Sequence, residues 1–254
     1  MKRFDVNCFS GPWPFHSSRN YDCNHLAAIH GKNGISGGLV TSLQTIFYLD
    51  PLTAARDLQR ELPAGYGQVF SINPNLPAAD ELCMEAMEKY QIKGIRLLPT
   101  FHDFDWLDAR TQAVLTIAQR RKLPIFITLN LEDARLDYLL QQNPVKMDDL
   151  ASAIADLPDV PVIITNAYLK NIKPLASAIC SRENIFADTS SLNSPLLALD
   201  QAFDMIGSEH LMYGSGAYVQ ALSSSVQNLA HCDLSDSQLQ AIWYDNAARI
   251  FELL

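Results

Sequence analysis

The chain has 254 residues, 48% of them hydrophobic, and carries a formal net charge of −9. That length fits one large α/β barrel or two small domains, and the apolar fraction is ample for a buried core. The acidic balance, without any Lys/Arg-rich run, argues against a phosphate-backbone partner, and no apolar run reaches the ~20 residues a membrane span needs.

The opening Met1-Lys2-Arg3-Phe4-Asp5 puts an acid where an export signal needs an apolar core. Five cysteines (Cys8, Cys23, Cys83, Cys180, Cys232) are scattered with no Cys-x-x-Cys pair. Both features lead us to expect a cytoplasmic protein with reduced thiols.

Short apolar runs then alternate with longer amphipathic stretches. The predicted strands are Phe4–Phe9, Gly38–Ser42, Gln68–Ile72, Gly94–Leu98, Ile125–Leu129, Val162–Thr165, Ile185–Asp188 and Leu211–Gly214. Each is nearly continuously apolar, as a strand covered on both faces should be. Asp50-Pro51 predicts a helix start with proline at the first helical position, and Ser194-Pro195 repeats it. Ser235-x-x-Gln238 reads as a capping box opening a last helix that runs through Trp243 to Phe251. Asp105 is expected to cap a helix beginning near Trp106. Strands alternating with helices imply parallel pairing through right-handed crossovers. Eight such units predict a closed (β/α)8 TIM barrel, with residues 1–254 as a single domain. No Gly-x-Gly-x-x-Gly turn follows a strand, which speaks against a dinucleotide fold.

Barrel chemistry sits where the strands end at their C-termini. There the sequence offers Asn7, Phe9 and the Trp13-Pro14-Phe15-His16 loop, then Asn73 and Arg96 with His102, Asp103 and Asp105. Further on come Thr128, Asn130 and Glu132-Asp133-Ala134-Arg135, then Asn166, Tyr168, Asp188, Thr189, Ser190, Ser215 and Tyr218. No histidine stands at a strand end. A guanidinium at position 96 must find a partner, because burying it unpaired costs several kcal/mol. It could clamp a substrate carboxylate or pair with Asp133, Asp188 or Asp5. Trp13, Phe15 and Tyr218 could cover a ligand. His25 and His30, five apart on a helix, would face different ways rather than chelate one ion together.

Taken in order, Asp5-Val6-Asn7-Cys8-Phe9, Gly94-Ile95-Arg96-Leu97-Leu98-Pro99, Leu123-Pro124-Ile125-Phe126-Ile127, Pro161-Val162-Ile163-Ile164-Thr165-Asn166, Leu211-Met212-Tyr213-Gly214-Ser215-Gly216 and Asn246-Ala247-Ala248-Arg249-Ile250-Phe251 resemble the amidohydrolase superfamily, in its amidohydrolase-2-like, TIM-barrel branch. That resemblance implies an Asp-x-His-x-His first strand, histidines at the fifth and sixth strands and an aspartate at the eighth. Together these hold a divalent metal and take a proton from its bound water. Here Asn7, Phe9, Thr128 or Asn130, Asn166 and Gly216 stand in those places. Phenylalanine and glycine offer no ligand and amides are poor ones for zinc, so no metal and no other cofactor is expected.

The reading is therefore a metal-independent hydrolase of a small carboxylated substrate, such as a lactone or ester. In it Asp133 is the proton-transfer group, the alternative being that Asp133 only holds Arg135 in a salt bridge; Asn7, Trp13, Arg96, Asn130, Arg135, Asn166 and Tyr218 line the pocket. Two alternatives stand beside it: a catalytically inactive barrel binding a small molecule or a protein partner, and an orthodox metal-dependent hydrolase. A homodimer is possible: aromatics such as Trp106 or Trp243 could serve an interface, and both fit a core equally well.

Overall fold

A computed structural model describes residues 1–13, 22–132 and 144–251. Eight parallel strands pair in sequence order from β1 to β8. They are β1 (Asp5–Ser10), β2 (Gly38–Ser42), β3 (Tyr66–Ser71), β4 (Gly94–Leu97), β5 (Ile125–Thr128), β6 (Val162–Thr165), β7 (Ile185–Asp188) and β8 (Leu211–Met212). Between them run α1 (Cys23–Lys32), α2 (Pro51–Glu61), α3 (Ala79–Tyr90), α4 (Pro99–His102), α5 (Ala109–Arg121), α6 (Met147–Asp156), α7 (Leu169–Ile179) and α8 (Ala198–Ile206). After β8 come α9 (Leu222–Ala230), α10 (Asp236–Gln240) and α11 (Asn246–Phe251). This is the expected (β/α)8 TIM barrel.

The seam between β8 and β1 is drawn together by backbone bonds from Val6 N to Tyr213 O (3.0 Å), Gly216 N to Asn7 O (2.8 Å) and Phe9 N to Ala217 O. The Asp5 carboxylate adds a side-chain stitch, its Oδ1 accepting from Asn7 N (2.9 Å) and Ser215 N (3.0 Å).

Strand alternation sorts the side chains into an outer wall and an inner column. Ile125 and Ile127 of β5, with Val162 and Ile164 of β6, pack outward in the large cluster shared with the helices. Phe126, Ile163, Phe186, Met212, Val6, Leu39 and Val69 form a separate cluster inside the barrel, against which Tyr244, Ile250 and Phe251 close the N-terminal end. A third apolar cluster of Phe9, Trp13, Leu43, Ile46, Leu98 and Leu131, joined by Phe101 and Val219, lies over the C-terminal end. Between floor and plug the inward positions turn polar.

Two helix starts differ from expectation. Asp50 does cap α2, accepting from Leu52 N, and Ser235 and Gln238 form the expected capping box. Ser194-Pro195 lies instead in a turn, and α8 begins only at Ala198. Asp105 accepts from Leu107 N within a turn, while Asp108 is the residue that caps α5. Before α5 two acidic residues could serve and the nearer one does, whereas α8 has no side-chain cap and starts after Leu197 at a positive φ of 61°. The last helical stretch passes through a π segment at Ala241–Asp245 before α11.

Candidate active site

Three strands that are apolar for most of their length end on inward polar residues, and these meet on the barrel axis. Thr128 closes Ile125-Phe126-Ile127, Thr165 closes Val162-Ile163-Ile164, and Asp188 closes Ile185-Phe186-Ala187. From β4, Arg96 reaches among them. It is fully buried, and its Nη1 donates to Asn7 Oδ1 (2.9 Å), Thr128 Oγ1 (2.8 Å) and Thr165 Oγ1 (3.3 Å). Its guanidinium carbon lies 4.8 Å from the centre of the Phe9 ring and 5.3 Å from that of Phe126. Two ring faces therefore stabilise a fully buried cation.

Asn7 carries the contact onward. Its Nδ2 donates to Asp188 Oδ2 (2.6 Å) and to Asn166 Oδ1 (2.8 Å). The other Asp188 oxygen accepts from Asn166 N (3.0 Å) and Ser190 Oγ (2.9 Å). The cation and the carboxylate thus sit in one buried layer with an amide between them. Burial pushes the Asp188 carboxyl up to about 6, against the hydrogen bonds from Asn7, Ser190 and Asn166 and the attraction of Arg96. Burial likewise draws Arg96 down to about 10, with Asp188 opposing the change. Arg96 is still cationic at neutral pH.

A direct ion pair of Arg96 with Asp188 or Asp5, the alternative to a substrate clamp, does not form. Hydroxyls and an amide surround the guanidinium, and Asp5 points out of the barrel towards α1. Asp133 and Arg135, with Phe15 and His16, lie outside the described residues.

The other predicted site residues divide by position. Asn7 and Asn166 converge at the axis. Asn130 turns away, donating to Asn166 O (3.0 Å) and Asn171 Oδ1 (3.1 Å), and Thr128 takes the inward place. Trp13 is buried in the apolar plug, its ring 6.2 Å from Phe101 and 5.7 Å from Phe47. Tyr218 stands at the rim, half-buried, its hydroxyl donating to Asp22 O (3.2 Å) and its ring stacked on His25. Burial raises its phenol well above the usual range. Of the acidic stretch after β5, Glu132 is buried and its backbone oxygen accepts from the Tyr168 hydroxyl. Sequence reasoning passed over Thr165 and gave Asp188 no role beyond a possible ion pair with Arg96. The signal for both was a polar residue ending an apolar, β-branched strand.

The cluster at 102–105 is structural. His102 is buried, its imidazole donating from Nε2 to Ile46 O at 2.9 Å, and burial holds its pKa below the ordinary histidine value. His210 Nδ1 lies 2.8 Å from Ile185 O beneath the barrel, and His231 ends α9, beside Gln227.

A profile of the amidohydrolase family (Amidohydro_2) matches residues 47–253. The chain belongs to the amidohydrolase family. The match begins after β1, the strand on which the resemblance expects a histidine pair. Among solved structures similar to this amidohydrolase is a probable 2-pyrone-4,6-dicarboxylic acid hydrolase from Acinetobacter baumannii with citric acid bound. It has a TM-score of 0.76 and 9% identity, over 99% of this chain and 100% of that one. A dihydroxybenzoic acid decarboxylase from Polaromonas sp. JS666, with bound manganese and 2-nitroresorcinol, gives 0.75 and 12% over 99% and 97%. The 5-carboxyvanillate decarboxylase of Sphingomonas paucimobilis gives 0.70 and 13% over 100% and 99%. At such identities the likeness establishes the fold alone. A search of the curated proteins finds no match.

The family's divalent cation can be tested against the donors on the axis. Asn7 Oδ1 and Thr128 Oγ1 already face Arg96, and both Asp188 oxygens accept hydrogen bonds. Phe9 supplies a ring face and Gly216 no side chain. A second cation here would have to displace or repel a guanidinium among the same ligands. These residues do not fit a divalent cation.

Proposed function

We propose that this amidohydrolase-fold chain binds a small carboxylated molecule at the C-terminal end of its barrel and hydrolyses a lactone or ester bond in it, without a divalent cation on the barrel axis. The observation that carries the reading is the unused edge of Arg96. Its Nη1 is occupied, whereas Nε and Nη2 are buried with no hydrogen-bond partner. That edge is the pair of parallel N–H donors a carboxylate accepts in bidentate fashion. Leaving it unsatisfied in a dry site is unfavourable, so an anionic group that reaches it binds there. The family's members of known structure include enzymes named for carboxylated substrates, which agrees with that ligand class.

In the proposed reaction a water oxygen bonds to the acyl carbon, the bond to the leaving alkoxide breaks, and a carboxylic acid and an alcohol result. Asp133, directly after the buried Glu132, is the group assigned to accept the proton from water and return it to the alkoxide. Activated acyl bonds suit such a site because they require less electrophilic help than amides.

A second reading, a binding barrel without turnover, draws support from the plug. Phe9, Trp13, Leu43, Ile46, Leu98 and Leu131 are all at most 5% exposed and cover the polar layer. A ligand must part them.

The two readings separate in one experiment. The chain is heated with lactones and with mono- and dicarboxylates, and hits are followed for acid release. A ligand at about a hundredfold excess over Kd contributes about 2.7 kcal/mol, a shift of roughly 5–10 °C for a chain of this size. The shift is expected to vanish in Arg96→Gln, measured against that variant's own apo transition, and acid release to vanish in Asp133→Asn while binding survives. Binding without turnover of any hit establishes the second reading; a shift that persists in Arg96→Gln removes the clamp.

A further inference from the structure

On the outer face of β1, away from the axis, Asp5, Cys8 and His30 each present one ligand atom, and these atoms lie within 4.8 Å of one another. All three side chains are completely buried. We propose that this cluster is a structural site for a divalent ion of the zinc type, clipping β1 to α1. It lies outside the barrel-axis site and is independent of the function proposed above.

The local backbone is built to bring the ligands together. Residues three apart on a regular strand face opposite sides of the sheet. The pairing of β1 with β2 shifts register between Asp5 and Cys8, and Asn7 N turns back onto Asp5 Oδ1. That irregularity sends both Asp5 and Cys8 outward while Asn7 and Phe9 face the axis. His30, in the last turn of α1, comes down on them from the helix layer.

The polar atoms are left as a cation would require. His30 Nε2 lies 3.2 Å from Asp5 Oδ2, yet neither atom has an aligned hydrogen bond. The ring nitrogen and the carboxylate oxygen thus face each other at ion-pair distance, spaced as two ligands of one cation would be. The second nitrogen of the ring is engaged: His30 Nδ1 is 2.9 Å from the Tyr66 hydroxyl, and the two rings stack. An imidazole tethered at one nitrogen, with the other turned towards the remaining ligands, is the arrangement found for metal-ligating histidines. Asp5 Oδ1 is held by Asn7 N and Ser215 N, which fixes the direction of Oδ2.

Space is also kept. A Cβ at position 38 would stand 3.2 Å from Cys8 Sγ and 3.4 Å from Asp5 Cβ, and Gly38 has none. One nitrogen, one carboxylate oxygen and one sulfur are a mixed donor set that suits zinc. On binding, the Cys8 thiol, which otherwise donates to Leu39 O (3.2 Å), loses its proton to solvent. Thiolate and carboxylate then balance the two charges of the ion, the neutral imidazole is the third protein ligand, and a water would take the fourth tetrahedral position. Because Asp5 also reaches β8 through Ser215, the ion would stiffen the seam of the barrel.

The test uses the full chain produced in medium supplemented with zinc or with cobalt. The zinc form is expected to carry one equivalent by elemental analysis, and the cobalt form to show near-ultraviolet thiolate-to-cobalt absorption. Cys8→Ser should abolish that absorption and His30→Gln the metal content, while Cys232→Ser, remote from the cluster, should change neither. Tyr66→Phe should lower affinity by about 10–100-fold through the untethered ring. Wild-type protein without metal, or cobalt protein without the thiolate absorption, overturns the proposal even if the variants fail to fold. Metal retained in full by Cys8→Ser places the ion elsewhere and overturns it equally.

Discussion

The Asn7 amide donates to the Asp188 carboxylate at 2.6 Å while its carbonyl oxygen faces Arg96 Nη1 at 2.9 Å. A neutral side chain thus links an internal cation to an internal anion, at the position where the family resemblance expects a ligand. The charges of the layer balance within the chain, and the following outcomes depend on that arrangement.

Replacing Asn7 by leucine keeps the volume but strips a buried hydrogen-bond acceptor from Arg96 and a donor from Asp188. Two incompletely paired charges would then remain in a dry layer, and breaking such an arrangement costs about 3–5 kcal/mol. Urea unfolding of Asn7→Leu against wild type measures it. A loss below about 1 kcal/mol would mean that Thr128, Thr165 and Ser190 satisfy the charges by themselves.

Asp188 makes stability depend on pH with a definite sign. Its carboxyl is raised by burial to about 6 from an ordinary value near 3.8, so between those values the native state holds the proton more tightly than the unfolded chain. The contribution is fully present below the unfolded value and is lost as pH rises to about 6, by an amount on the order of 3 kcal/mol. Asp188→Asn lacks this titration. The stability of wild type relative to the variant should therefore fall between about pH 4 and 6.5 and level off above. A difference that stays constant across that window contradicts the assigned environment.

Gly214 has no tolerance for a methyl group. A Cβ there would come within 2.3 Å of Asp188 Oδ2 and 3.0 Å of Asn7 Cβ, both held by the layer's own hydrogen bonds. Gly214→Ala should destabilise by about 1–3 kcal/mol or more. Because the clash pushes on Asp188, the variant should also show an altered pH dependence. Thermal unfolding across the same pH range reports both.

Phe9 stands where the family resemblance expects a histidine, and its ring lies 4.8 Å from the Arg96 guanidinium carbon. Phe9→Leu keeps an apolar plug but removes the π face. A loss of about 1–2 kcal/mol is expected, since a desolvated cation–π contact reaches about 2 kcal/mol. In a double-mutant cycle with Arg96→Met, most of that loss should disappear; additive losses would show that Phe9 only fills space.

The strands, their order and their closure were legible in the chain. Continuous apolar, β-branched runs such as Val162-Ile163-Ile164 have few alternatives to a strand covered on both faces, and the eight observed strands lie within two residues of expectation. That Phe9 and Gly216 carry no side-chain donor atom was equally legible. The partners of Arg96 were not. Side chains from β1, β4, β5, β6 and β7 meet there, separated by up to 181 residues, and only the barrel's stagger decides that Thr128 faces inward and Asn130 aside. Nor could the sequence place Asp5 beside Cys8 and His30, since a one-residue irregularity in β1 reverses which face a side chain takes. Residue chemistry by itself determined the architecture. Tertiary structure alone decided which buried charges meet, because that depends on register and depth, which local patterning does not encode.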